Sequence, residues 1–92
     1  MSTDNFRSTL NSVRQSKYLR YEGTWKNGKR DGKGKLTYIN GDSYEGGFLG
    51  DKRYGYGIFI SSSGGRYEGY WKEGLASGEG VMNYANGEVY RG

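Results

Sequence analysis

The 92-residue sequence predicts an all-β protein: an elongated, single-layer antiparallel meander of β-hairpins, preceded by a short N-terminal helix or tail. Three observations lead there. Three segments align without gaps at a period of 23: YEGTWKNGKRDGKGKLTYINGDS (21–43), YEGGFLGDKRYGYGIFISSSGGR (44–66) and YEGYWKEGLASGEGVMNYANGEV (67–89). Asn-Gly recurs at 27–28, 40–41 and 86–87, the dipeptide of two-residue hairpin turns, because both turn positions need positive φ. Between those signals apolar and polar residues alternate with the period of two that marks a strand.

Each unit opens with Tyr-Glu-Gly, at Tyr21, Tyr44 and Tyr67, and continues with Trp25, Phe48 or Trp71. In YEGTW, Tyr21, Gly23 and Trp25 share one face and Glu22 and Thr24 the other. A Gly-x-Gly pair follows at Gly32/Gly34, Gly55/Gly57 and Gly78/Gly80. In GKGKLTY, Gly32, Gly34, Leu36 and Tyr38 share a face opposite Lys33, Lys35 and Thr37. A strand glycine leaves bare backbone that a ring from a neighbouring strand can cover, so Trp25 is expected over Gly32 or Gly34, and so on along an aromatic ladder. That ladder would supply the burial that aliphatic residues cannot: only 33% of residues are apolar and 18 are glycine, yet 16% are aromatic, including ten tyrosines. Units of this kind lean on their neighbours in one dimension. The domain organisation is therefore 1–20 as an N-terminal segment and 21–92 as the repeat array, with residues 90–92 opening a fourth unit.

In the N-terminal segment Phe6, Leu10 and Val13 recur at i, i+4, i+7, with Thr3 or Asp4 able to cap a first turn. The alternative is a frayed basic tail. At the other end YRG stands in the slot of a fourth Tyr-Glu-Gly, with Arg91 in place of glutamate. Val89, Tyr90 and Arg91 are expected to present an open strand edge.

Composition excludes much chemistry. The chain has no cysteine and no histidine, so disulfides, thiolate or imidazole metal sites and His-based catalysis are out. The lack of disulfides fits a cytoplasmic protein. MSTDNFRSTLNSVRQSK lacks the apolar run of a signal peptide, and no stretch is long enough to span a bilayer. The Gly-x-Gly pairs lack the spacing of a nucleotide loop, and Glu22, Glu45 and Glu68 are repeat equivalents, whereas an enzyme needs one asymmetric constellation. No enzyme activity, cofactor or metal is expected. Charge is uneven: Arg7, Arg14, Lys17 and Arg20 against Asp4 give residues 1–20 a net +3, whereas Glu68, Glu73, Glu79 and Glu88 against Lys72 give residues 67–89 a net −3. Lys26, Lys29, Arg30, Lys33 and Lys35 form a candidate anion patch, diluted by Glu22, Asp31 and Asp42. Nucleic acid is not expected, since the rings would have to serve both as core and as stacking platform.

Tyr-Glu-Gly-x-Trp…Gly-x-x-x-Gly-x-Gly…Asn-Gly at a period of 23 resembles the MORN (membrane occupation and recognition nexus) repeat over residues 21–92. The second unit departs from the pattern: Asp51 stands where the others have Gly28 and Gly74, and Ser61 replaces the tyrosine of Tyr38 and Tyr84. A reshaped turn and less regular ring stacking are expected there. The resemblance implies an elongated single-layer sheet. It further implies a non-enzymatic protein–protein interaction scaffold or adaptor of a cytoskeletal or ciliary assembly, of the axonemal, radial-spoke-like kind. The partner surface would be the aromatic face (Tyr21, Trp25, Tyr38, Tyr44, Phe48, Tyr67, Trp71, Tyr84) together with the open edge (Val89, Tyr90, Arg91). Self-association, basic end against acidic end, is compatible with the charge gradient. The alternative it implies is a peripheral membrane module that binds anionic phospholipids through Lys33 and Lys35.

Overall fold

The computed structural model describes residues 18–92; the helix or tail expected around Phe6, Leu10 and Val13 lies outside them. Seven strands follow in chain order: β1 (Tyr18–Lys26), β2 (Lys29–Tyr38), β3 (Ser43–Leu49), β4 (Lys52–Ile60), β5 (Arg66–Lys72), β6 (Leu75–Asn83) and β7 (Val89–Arg91). They form one sheet in the order β1-β2-β3-β4-β5-β6-β7, every pair antiparallel. The described residues extend 40 × 26 × 17 Å. The sheet is a single layer.

Three hairpins turn on two residues with positive φ: Asn27 (53°) and Gly28 (79°), Gly50 (57°) and Asp51 (76°), Glu73 (51°) and Gly74 (85°). Both-positive φ is the type I′ geometry whose twist matches that of the strands. The second turn is therefore not reshaped; Gly50 and Asp51 exchange the usual places of polar residue and glycine, and a short acidic side chain tolerates the left-handed region. The connections at the opposite end of the strands differ from expectation. Asn40-Gly41 and Asn86-Gly87 are not two-residue turns. They sit in wider loops, 39–42 and 84–88, in which the Gly41 amide donates to the Tyr38 carbonyl (3.0 Å) and the Gly87 amide to that of Tyr84 (2.9 Å). Only the glycine of each pair has positive φ there. Consecutive loops are tied together by Asp42, whose buried carboxylate accepts the Ser62 N–H at 2.7 Å.

Inside each hairpin the register slips between Gly23 and Trp25, Gly46 and Phe48, and Gly69 and Trp71. Three residues of the second strand stand opposite one of the first. The first glycine of each Gly-x-Gly pair absorbs this bulge with positive φ: Gly32 (90°), Gly55 (78°), Gly78 (75°). The second glycine has another task. Gly34, Gly57 and Gly80 pair across the hairpin with Gly23, Gly46 and Gly69, and a Cβ on any of them would overlap the ring of Tyr21, Tyr44 or Tyr67.

The ring over the glycines is thus the tyrosine of Tyr-Glu-Gly, not Trp25 or its equivalents. The side chain leans along its own strand, lies across the glycine pair and donates its hydroxyl to a carbonyl three residues on: Tyr21 to Thr24 (2.8 Å), Tyr44 to Gly47 (2.9 Å), Tyr67 to Tyr70 (3.4 Å). The position of Trp25, Phe48 and Trp71 then joins the units. Edge-to-face contacts run Trp25–Tyr21 (5.0 Å), Tyr21–Phe48 (5.3 Å), Phe48–Tyr44 (5.2 Å), Tyr44–Trp71 (5.3 Å) and Trp71–Tyr67 (5.3 Å). The second unit stacks as regularly as its neighbours, against expectation, because its departures fall in the loops and not in this row. Leu36, Tyr38, Phe59 and Met82 complete the core. A single layer acquires a buried interior because its rings lie down and cover one another.

Candidate functional site

The expected partner surface was the aromatic row, and the structure places it inside. Tyr38, Tyr44, Phe48, Tyr67 and Trp71 are buried, Tyr44 completely (0% exposed). These five rings are core and offer a partner no surface. Tyr21 and Tyr84 are half-buried and pack against that core. Trp25 is 53% exposed. Its equivalents Phe48 and Trp71 are covered by the tyrosine of the preceding unit, and the described residues include no such unit before Trp25.

Above the row lies a residue that the sequence reading passed over. Arg53 is 2% exposed, with its guanidinium 4.7 Å above the Trp71 ring and 5.9 Å from that of Tyr44. It donates to the Tyr38 hydroxyl (2.8 Å) and to the Gly74 carbonyl in the next hairpin turn. Its Nε has no hydrogen-bond partner among the described residues. Burial lowers the pKa of Arg53 and raises that of Tyr38, each opposed by the other's proximity. Arg30, one period earlier, repeats the arrangement. It lies 5.0 Å over Tyr18 and 5.5 Å over Phe48, and donates to the Asp51 carbonyl (3.0 Å) and carboxylate (2.8 Å). The signal was present as Lys29-Arg30 and Lys52-Arg53, 23 residues apart.

Arg30 is consequently withdrawn from the anion patch. Its guanidinium is held on the core side by Asp51, whose carboxyl is lowered below its usual pKa first by the Arg30 backbone N–H and then by its side chain. Lys33 and Lys35 are exposed on the opposite face, and Lys26 and Lys29 face each other beside the first turn. Lys35 stands in register between Glu22 and Glu45. The patch keeps its four lysines, of which Lys35 is flanked by carboxylates. Val89, Tyr90 and Arg91 are exposed on β7, the last strand.

The face opposite the core carries the unexpected feature. Positions 31, 54 and 77 are Asp, Tyr and Ser; 33, 56 and 79 are Lys, Tyr and Glu; 37, 60 and 83 are Thr, Ile and Asn; 24, 47 and 70 are Thr, Gly and Tyr. The central strand β4 thus presents Tyr54, Tyr56 and Ile60, all exposed, where the outer units are polar, and Tyr70 (52% exposed) stands beside them on β5. Tyr56 and Tyr70 are cross-strand partners with ring centroids 5.6 Å apart. The Tyr56 hydroxyl donates to Glu68, which also pairs with Arg66 at 3.0 Å; this raises the pKa of Tyr56 and lowers that of Glu68. A contiguous group of exposed rings at positions that break the repeat is the kind of patch that marks an interaction surface. Aligning the units and reading their differences would have found them.

Among the described residues no three metal-ligating side chains converge, and no helix is long and apolar enough to cross a membrane. A 23-residue unit of strand, type I′ turn and strand, repeated along one open sheet, defines a β-repeat protein. The MORN repeat model matches residues 21–43, 44–66 and 67–89, and the chain belongs to the MORN repeat family. Such repeats mediate protein or lipid interactions.

Proposed function

We propose that the protein is a non-enzymatic scaffold or adaptor, a small structural component of a cytoskeletal or ciliary, axonemal assembly, working through protein–protein contact. One observation carries this reading. On the core side Tyr38, Tyr44, Phe48, Tyr67 and Trp71 are buried, while the other side exposes Tyr54, Tyr56, Tyr70 and Ile60 together. Tyrosine presents a large, stiff surface with a polar tip, the side chain best suited to the centre of a protein interface. Membrane binding would draw on Lys33 and Lys35, and the carboxylates of Glu22 and Glu45 beside Lys35 oppose it.

Cross-linked complexes recovered from the native source test the reading. The full chain is expected to retain cytoskeletal proteins, Tyr56→Ser/Tyr70→Ser to lose them, and Lys33→Ala/Lys35→Ala to keep them. Phosphatidylserine vesicles provide the counter-arm. Binding that rises with anionic lipid, falls with salt and disappears with the two lysines, while the tyrosine variant behaves as the parent, would overturn it.

A further inference from the structure

The outer face has a symmetry of charge. Among the described residues seven strands place β4 at the centre, and the repeat equivalents Lys33, Tyr56 and Glu79 fall on β2, β4 and β6: cation, ring, anion at matched positions. Resting on the reading of this face as a protein-binding surface, we infer that its partner is a second copy of the chain, related by a two-fold axis that runs along β4 between the two facing sheets.

Rotation about that axis keeps the rows across the strands aligned and exchanges β2 with β6, β3 with β5 and β1 with β7. Tyr56 then meets Tyr56, and Lys33 meets Glu79 of the second copy twice over, as an isologous interface requires. In the next row Glu22 comes opposite Arg91, which pairs in register with Val81 on the same face. The arginine in the glutamate slot of YRG thereby acquires a reason: a third-period glutamate there would oppose Glu22. Gly47 comes opposite Tyr70, an empty position against a projecting ring. Like charges meet at two places: Glu45 with Glu68, both matched in their own chain, and Lys52 with its own copy at the turn end of β4. Lys35 is in register with Glu45, and Glu68 holds Arg66 and the Tyr56 hydroxyl. The alternative in-plane axis, across the strands, would set Lys33 and Lys35 near their own copies and Glu79 near Glu79. Aligned sheets pack about 10 Å apart, and a face of 40 × 26 Å has room for the roughly 800 Å² per partner of a standard interface.

The full chain carries the test, and its lack of cysteine helps. Sedimentation is expected to show a dimer for the parent. Lys33→Glu and Glu79→Lys should each weaken it about tenfold or more, and both together in one chain should restore it, since each swapped pair meets again across the axis. Under mild oxidation Tyr56→Cys should link to itself, and Lys33→Cys should link only when mixed with Glu79→Cys. All these positions are exposed, and unchanged melting temperatures show that the fold is kept. A monomeric parent, a double swap weaker than either single, or Lys33→Cys linking to itself would overturn the two-fold. If the parent is monomeric and Tyr56→Ser/Tyr70→Ser still abolishes capture of other proteins, the symmetry fails and the scaffold reading stands; if capture is also indifferent to those tyrosines, both fail.

Discussion

Arg53 lays its guanidinium 4.7 Å above the ring of Trp71, and from there reaches both the Tyr38 hydroxyl and the turn of the following hairpin. A cation so placed is a bracket between two units. Arg53→Ala should destabilise the domain by about 2–4 kcal/mol, through the void left over Trp71 and the unpaired buried hydroxyl of Tyr38. Arg53→Lys should recover only part, because a single ammonium cannot serve both acceptors from one planar fork. Urea unfolding followed by tryptophan fluorescence measures both.

The glycines should respond to alanine in two distinct ways. A Cβ at Gly57 meets the Tyr44 ring, so Gly57→Ala should cost on the order of 2–4 kcal/mol. At Gly28 nothing lies within 4 Å and φ is +79°, so Gly28→Ala should cost only the left-handed strain of about 1–2 kcal/mol. In a double-mutant cycle Tyr44→Ala should absorb part of the Gly57→Ala penalty, whereas it should add to that of Gly28→Ala.

Buried tyrosines set the alkaline limit. Burial lifts the Tyr44 hydroxyl far above its ordinary 10.0, and raises Tyr38 and Tyr67 for the same reason. The unfolded chain ionises near pH 10 while the folded one holds these protons. Their contribution to stability is thus complete below about pH 10 and is lost as pH rises towards the folded values. An alkaline titration should show a cooperative rise of tyrosinate absorbance that coincides with loss of the β-sheet signal.

Asp51 sets a smaller acid limit. Its folded pKa lies below 3.8, so its contribution is present above that value and fades as pH falls through the folded one. The pair with Arg30 is part-exposed and is worth under about 1 kcal/mol. The stability gap between the parent and Asp51→Asn should be measurable near pH 6 and should close by about pH 2. Urea midpoints at the two pH values give the answer.

Much of the fold was legible because each strand is the same experiment performed three times. A period of 23 survives noise at any single position, so the strands, their order and the glycine pairs could be read directly. What could not be read was direction. Tyr21 and Trp25 are both aromatic, both two residues from Gly23 and on the same face. Only the register slip after Gly23, which takes Trp25 past the glycine pair, decides that the tyrosine covers it. The loops misled for a related reason: Asn40-Gly41 has the composition of a tight turn, but the hydrogen bond from Gly41 to Tyr38 needs a wider loop. The candidate site was hidden by the regularity itself. Tyr54, Tyr56 and Tyr70 look like three more tyrosines in a tyrosine-rich chain until each is set beside Asp31, Lys33 and Thr24.

Tyr21 and Tyr44 are each shared, capped by their own unit's ring and by that of the next: Tyr21 by Trp25 and Phe48, Tyr44 by Phe48 and Trp71. Length in such a molecule is quantised. Excising residues 44–66 would set Trp71 on Tyr21 with every hydrogen-bond register intact, whereas removing one residue would turn a whole strand inside out. The array can grow or shrink by the unit and by no fraction of it, and the seventh strand, added to three hairpins, is what gives it a central strand.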